Sequence, residues 1–473
     1  MPHSSVTTSA TRPNDTMEIG TVVTGALWLG LAVMTLLSIA AAIGSVAITK
    51  LSLALGVLTL FVGAIAASFS ARYMRADGHR QAFFLLMLAL IGAVLAFLFA
   101  GNLIVLALAW LASGWLLARL IGHSSGWGEA QAASRRAAMS FIIGDTALVI
   151  ALAILAWWSG SADLRLSLVA ATLMPPALVT LVAALLLTAA AARCALPPFS
   201  GWLLSSMTAP TPVSALMHAG LVNAGGFLLI RFASVFEAAP GVRIAAVVLG
   251  AVAALYGIGI MMVRPDIKRS LAGSTVSQMG FMIMSCGLGA YAAALWHLIA
   301  HGLFKAWLFL GSGSAVGMKQ PRAPVALAAP ERIVIAGAIL AVAIALASYS
   351  QIAGSLIPFL LGVATACAAL AMNMRAKLTM KAQLTQALVI AGLIAFYVLG
   401  LLVAGLVVDA NSLFLLPSWV PLAILVVFLA FWLWQQQILR NGTPLPPRLY
   451  IHLLNAGALP PASETAKNKG VPQ

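Results

Sequence analysis

Apolar runs of about 20 residues, each long enough to cross hydrocarbon as a helix, recur from Thr21 to Leu439. The apolar positions in them are continuous. They lack the alternation with polar positions that a transmembrane barrel strand requires. About 14 spans are expected, near 22–43, 51–70, 82–99, 101–121, 138–158, 166–206, 212–233, 243–263, 270–286, 289–314, 331–349, 353–372, 384–406 and 418–437. The pattern predicts an all-α, polytopic transmembrane bundle with no soluble domain. Residues 1–20 read as a polar N-terminal tail without a signal-peptide core. Residues 21–439 read as one transmembrane domain, and 440–473 as a cytoplasmic C-terminal tail whose last residues are polar and disordered.

One run carries internal punctuation. Pro197-Pro198 interrupts an apolar stretch that continues through Trp202 to Met207. Proline removes an amide donor and clashes with the preceding turn, so a broken helix is expected near 193–198. Carbonyls freed at membrane depth are tolerated only where protein or a hydrated cavity supplies partners, and transporters use such breaks at ion sites. Thr211-Pro212 then reads as a helix start, which places His218 roughly 9 Å further along.

Composition agrees with the pattern. The chain is 62% hydrophobic and 8% charged over 473 residues, against about 25% charged in soluble domains. A net charge of +15 raises the question of nucleic acid, and position answers it. With loops numbered by the span they follow, the even ones hold Arg72, Arg75, Arg80, Arg119, Arg135, Arg136, Arg264, Lys268, Arg269, Lys319, Arg322, Arg332, Arg375, Lys377 and Lys381; the odd ones hold only Lys50, Arg165, Arg231 and Arg243. That is the positive-inside pattern. It predicts an inner-membrane protein with cytoplasmic even loops and both termini cytoplasmic. The basic residues favour anionic headgroups, and no nucleic-acid partner is implied. Cys194, Cys286 and Cys367 have neither metal nor disulfide spacing.

Ionisable residues inside apolar spans are costly and mark function by default. Asp145 lies in FIIGDTALVIALAIL. It reads as a proton-site carboxylate or its electrostatic partner, or else as an acid paired with Arg135 or Arg136 near the membrane edge. His297, His301 and Lys305, in HLIAHGLFKAWLFL, are four apart and fall within about 80° of one helix face. A row of groups that can be charged or neutral near pH 7 suits proton passage; the alternative is structural hydrogen bonding. A zinc site lacks further ligands nearby, so no metal is assigned. Arg193, before the proline break, is a fixed positive charge in the path or an interfacial snorkel. Ser274, Thr275, Ser277 and Gln278 form a polar patch that holds water or bridges helices. Trp110, Trp115 and Trp127 read as interface or packing residues.

The segments APTPVSALMHAG, RPDIKRSLAGSTVSQMGFM and WHLIAHGLFKAWLFLGSGS, preceded in order by ARYMRADG, NLIVLALAW and FIIGDTALV, resemble the antiporter-like subunits of respiratory complex I, Mrp antiporters and membrane hydrogenases. The resemblance covers roughly residues 50–318. It implies broken helices and a hydrated midplane path of Lys, His and Glu. His297, His301 and Lys305 match the family's central proton-path helix. His218 matches the histidine after its TPVSAL segment, Asp145 a Gly-Asp pair, and Lys268 the lysine of a D-I-K-R loop.

The departures matter. The family's Trp-Glu-Gly reads Trp110-Leu111-Ala112, so its central glutamate is absent. Its lysine before the broken helix is Arg193. Spans 331–349 and 353–372 hold no lysine or acid, so its exit-side lysine is missing too. With PRLYIHLLNAG near its end, the chain is most similar to the membrane subunits (DabB) of Dab-type inorganic carbon transporters. That resemblance implies cation-driven conversion of CO2 to bicarbonate, with a peripheral DabA-like partner that carries zinc in a carbonic-anhydrase-like site. The expected role is a proton-conducting subunit with no cofactor and no catalysis of its own. The alternatives are a subunit of an NADH–quinone oxidoreductase, membrane hydrogenase or Mrp antiporter complex, or a scaffold whose path is dead.

Overall fold

A computed structural model describes residues 13–44, 48–312, 380–408, 419–441 and 445–459. The expected spans 331–349 and 353–372, Cys367, residues 1–12 and residues 460–473 lie outside the described residues. The regular elements are helical: α1 (Pro13–Ala42), α2 (Lys50–Tyr73), α3 (Arg80–Phe99), α4 (Leu103–Ile121), α5 (Gly128–Ser159), α6 (Leu164–Ala171), α7 (Pro176–Arg193), α8 (Gly201–Ser205), α9 (Thr211–Ala219), α10 (Ala224–Arg231), α11 (Ala233–Glu237), α12 (Pro240–Val263), α13 (Ile267–Gly287), α14 (Tyr291–Gly311), α15 (Met380–Val407), α16 (Trp419–Asn441) and α17 (Pro447–Leu454).

Ten spans among the described residues are long and apolar enough to cross a membrane: α1 to α5, α7, the stretch Thr211–Arg231, α12, α14 and α16. The expected count of about 14 is therefore not reproduced. α13 is helical where a span is expected, but its serines, threonine and glutamine lower its apolarity. The described apolar part of α15 is the short stretch Ala391–Val407.

The run 166–206 is also not one span. It divides into the short α6, the full α7 and an irregular segment leading to α8. Asp163 caps α6 by accepting from the Leu166 amide at 2.9 Å, and Pro176 sits in the first turn of α7, where a missing N–H costs nothing. α7 stops at Arg193. Ala195 then takes a left-handed conformation with φ of 56°, and the Leu196 amide reaches back to the Ala191 carbonyl at 2.9 Å. This is a Schellman-type ending with alanine where glycine is usual.

A second interruption was not expected. Thr211–Arg231 breaks after Ala219 into a 3₁₀ turn at Leu221–Asn223 before α10 begins. The freed carbonyls are taken up by side chains. Asn223 donates to the Ala219 carbonyl at 2.8 Å and to Leu298 O at 3.2 Å, and the Cys194 thiol donates to Val222 O. Two carbonyls of the break, Ala219 and Val222, are thus held by side chains, the kind of partner that membrane depth calls for.

Small residues bring the helices together around this break. A Cβ on Gly302 of α14 would lie 2.7 Å from the Ala219 carbonyl, and one on Gly225 of α10 would lie 2.6 Å from Ala190 O. Such close backbone approach is how membrane helices gain packing where no hydrophobic drive between them exists.

The two ends of the bundle differ in charge. Asp77–His123 (3.1 Å), Arg136 to Ala458 O (2.8 Å) and Arg264 to Ala456 O (2.6 Å) place the loops after α2, α4 and α12, with the chain's last described segment, at one end. The Asn102–Asp163 bridge, Arg231 on the Leu98 and Ala100 carbonyls, and Lys50 on Leu406 O mark the other. The basic residues of the loops after α2, α4 and α12 therefore gather at a common end.

Candidate proton-path site

The six candidate residues fall into two buried groups. The first is built where α7 stops. Arg193 is 2% exposed and Asp145 of α5 lies 3.1 Å from it. The guanidinium also donates to the Trp110 carbonyl at 3.0 Å and to Ser113 Oγ at 3.2 Å. Its plane is held against the rings of Trp110 and Phe141, 4.2 and 4.8 Å from their centroids. The Trp110 indole donates to Asp145 Oδ1 at 2.7 Å.

This corrects two expectations. Asp145 is not paired with Arg135 or Arg136; it faces α7 and α4, and Arg136 instead serves the C-terminal segment. Trp110 is more than an interface or packing residue, because it is 1% exposed and shares the carboxylate with Arg193. Arginine fits here where lysine would not. Its planar fork spreads one permanent charge over three acceptors and two aromatic faces. The room for it comes from Gly114, where a Cβ would lie 3.1 Å from the guanidinium.

The second group lies between α9, α13 and α14. Lys305 is 1% exposed and its Nζ donates to the Leu271 carbonyl at 3.0 Å. The Thr275 hydroxyl donates to the same carbonyl at 3.0 Å. Its oxygen therefore accepts from His218, whose Nδ1 is 2.9 Å away. That assignment makes His218 an Nδ1–H tautomer and leaves a lone pair on Nε2, which has no protein partner. The imidazole lies flat on Phe309, ring centroids 4.1 Å apart at 15°.

His301 and His297 continue the row on α14, ring centroids 5.8 Å apart at 16°. His301 is buried, and neither of its ring nitrogens has a protein hydrogen bond; Nε2 of His297 has none either. Buried polar atoms are rarely left so. A line of imidazole nitrogens with open hydrogen-bonding capacity, ending on a lysine, is an arrangement that can accept and hand on protons.

The two groups are linked through the breaks, and α4 also packs against α9. Arg193 ends α7, the next residue Cys194 holds Val222 O, and His218 lies one residue before the end of α9, at that same interruption. Of the polar patch, Thr275 bonds His218 through its hydroxyl and Gln278 meets His297 through its backbone, so helix bridging is the observed role. Lys268 sits in the first turn of α13 at the basic end, outside both groups. Leu111, at the position of the family glutamate, neighbours Trp110 on α4. Among the described residues no three His, Cys, Asp or Glu side chains gather as metal ligands.

Ser113, Trp110, Asn223 and Thr275 are the site residues that sequence reasoning missed or left open. Only Thr275 carried a signal, as part of a polar patch in an apolar run. A tryptophan or a serine at a helix face gives no pattern that separates packing from ligation.

Comparison with known proteins identifies the family. Residues 100–395 match the family described as NADH:quinone oxidoreductase/Mrp antiporter, TM. The chain is 41% identical over 282 residues to a probable inorganic carbon transporter subunit DabB1 of Halothiobacillus neapolitanus, covering 58% of this chain and 50% of that one. It is 40% identical over 262 residues to the probable DabB of Bacillus subtilis (54% and 51%). It is 35% identical over 272 residues to NADH-quinone oxidoreductase subunit L of Mycobacterium tuberculosis (57% and 43%). The chain spans about half the length of the curated relatives it matches. In overall fold it resembles the Mrp complex of Dietzia sp., at TM-score 0.58 and 22% identity over 94% of this chain and 51% of that one.

Proposed function

The chain belongs to the NADH:quinone oxidoreductase/Mrp antiporter family of membrane subunits, and from that premise we propose that it conducts protons, or another cation, in an energy-coupled complex that takes up CO2 as bicarbonate. The observation that carries the conducting role is the row of half-buried His297 and buried His301 and Lys305, with His218 beside it and ring nitrogens left open along it. The inorganic-carbon assignment rests on the DabB relatives. The partner is then a DabA-like peripheral protein, and any catalysis and zinc belong to it. The membrane is the inner membrane, with the basic end and both termini toward the cytoplasm.

In this reading the row on α14 and His218 form the conducting segment. Thr275 fixes the His218 tautomer so that its Nε2 lone pair is the accepting atom, and Leu271 O holds the Lys305 ammonium. The Asp145–Arg193 pair is an electrostatic partner at the entry side. An arginine does not readily release a proton, so it acts by its charge. Because α14 runs back toward the basic end, where Lys305 bonds Leu271 near the start of α13, protons reach the cytoplasm along His297, His301 and Lys305, with His218 beside the last.

The complex I and Mrp reading is kept as the second, because subunit L of a quinone oxidoreductase covers as much of this chain at 35% identity. The deciding experiment is a mild-detergent pull-down of the tagged chain, with partner identification and metal analysis. A stoichiometric zinc-containing soluble partner is the expected outcome. Flavin or iron–sulfur proteins, or several further multi-span subunits, would return the chain to the second reading.

A further inference from the structure

The stretch PRLYIHLLNAG plays no part in the buried row, yet it is folded and anchored. α17 and the turn after it are fixed to the basic end of the bundle by three contacts. Arg264 donates to Ala456 O at 2.6 Å, Arg136 donates to Ala458 O at 2.8 Å, and Leu453 packs onto Gly259, where a Cβ would lie 3.1 Å away. Gly457, at φ of 77°, lets the chain turn directly against Leu204.

The depth of this helix can be read from what it touches. Its partners on α12 are Gly259 and Tyr256, the latter with its ring 6.2 Å from that of His452. These lie four and seven residues before Val263, the last residue of α12, or about 6 and 10 Å from its end. α17 therefore lies beside the last two turns of a spanning helix, not above them. That is the depth at which amphipathic helices rest between headgroups and acyl chains.

The outer face of α17 has the matching chemistry. Leu449, Tyr450 and Ile451 are 39%, 42% and 55% exposed. Between them and α12 opens a cleft of about 470 Å³ lined by Tyr256, Arg448, Ile451, His452, Asn455 and Ala456. Its lining carries no carboxylate. Arg448 supplies a permanent charge, with Asn455, His452 and Tyr256 as further donors or acceptors around it.

We propose that this cleft binds the phosphate headgroup of an anionic phospholipid, with the exposed apolar side chains of α17 against its acyl chains. A free phosphate would find the same donors, but it would leave Leu449 and Ile451 facing water. The lipid covers both kinds of surface, and it attaches the last described helix to the membrane. The inference is independent of the proton path.

The test uses the full-length chain purified with its partners and placed in phosphatidylcholine nanodiscs with added phosphatidylglycerol. Native mass spectrometry should show phosphatidylglycerol retained over phosphatidylcholine. Removing one basic charge near a membrane surface weakens such binding by about fivefold, so Arg448→Gln should lower retention by at least that, and Arg448→Lys should keep most of it. Arg448 lies on exposed helix surface, and size-exclusion profiles confirm that both variants are folded. Equal retention of the two lipids, or retention unchanged in Arg448→Gln, would overturn the proposal. So would displacement of the lipid by excess inorganic phosphate, which would mark a soluble-anion site. Loss of a co-purifying protein in Arg448→Gln with lipid retention intact would show a protein-docking surface instead.

Discussion

Lys305 and Arg193 are both buried cations, and their surroundings set them apart. Lys305 meets one neutral carbonyl, whereas Arg193 meets a carboxylate, a carbonyl, a hydroxyl and two aromatic rings. The first is held loosely enough to change its protonation, and the second is locked. Lys305→Ala should therefore abolish cation flux in proteoliposomes while the complex still assembles; normal flux would remove Lys305 from the mechanism. Arg193→Ala should instead destabilise the protein by about 3–5 kcal/mol, because it leaves the Asp145 charge buried without its partner. Thermal unfolding of the purified complex measures this, and Arg193→Ala combined with Asp145→Asn should recover part of the loss. At His218 the relevant atom is the Thr275 hydroxyl. Thr275→Val removes the acceptor that fixes the tautomer, worth about 1 kcal/mol, and should lower flux several-fold, while Thr275→Ser should stay close to the parent. The four-residue spacing of His297, His301 and Lys305 was legible because charge in an apolar run stands out. The partners were not, since Trp110 and Ser113 look like any packing residues until α4 and α7 are brought together.

At the level of helices, the distinctive feature is a pair of interruptions that face each other. One ends α7 and the other divides Thr211–Arg231. The first was legible because Pro197-Pro198 cannot continue a helix. The second has no proline inside it. Its signals are Gly220 and Asn223, and neither is decisive alone, since glycine is tolerated in membrane helices. Asn223 supports the break by donating to two carbonyls. Asn223→Ala should cost about 1–3 kcal/mol and lower flux, read from unfolding and from proteoliposome assays on the same preparation. Close approach gives a second test. Gly302→Ala would put a methyl 2.7 Å from Ala219 O and should destabilise by about 1–3 kcal/mol. Gly92 of α3, with nothing within 4 Å of its Cβ position, should accept alanine with no loss. Equal effects at the two glycines would show that the breaks are not tightly packed against α14.

For the whole molecule, the question is which end faces the cytoplasm. The arginines and lysines of the loops after α2, α4 and α12 gather at one end, and the positive-inside rule assigns that end to the cytoplasm. Ala76 and Ser234 are exposed at opposite ends, and Cys194 and Cys286 are fully buried. With Cys367 replaced by serine, Ser234→Cys should react with an impermeant maleimide in intact cells. Ala76→Cys should react only after lysis. The reverse pattern would invert the topology and with it the proposed direction of proton flow.

Local rules were enough for the sequence to determine that this chain is a helical membrane protein, where most of its spans lie and which side chains are too polar to be idle there. Hydropathy, helical spacing and loop charge are properties of neighbours along the chain. Only the tertiary structure decided how those side chains divide. Asp145 and Arg193 are 48 residues apart, His218 and Thr275 are 57, and Lys305 and Leu271 are 34. Which of them meet depends on close helix packing at Gly302, Gly225 and Gly114, and that packing leaves no periodic trace. The physical reason is that the burial cost of a charge is visible in one segment, while the partner that offsets it can come from any helix that packs alongside.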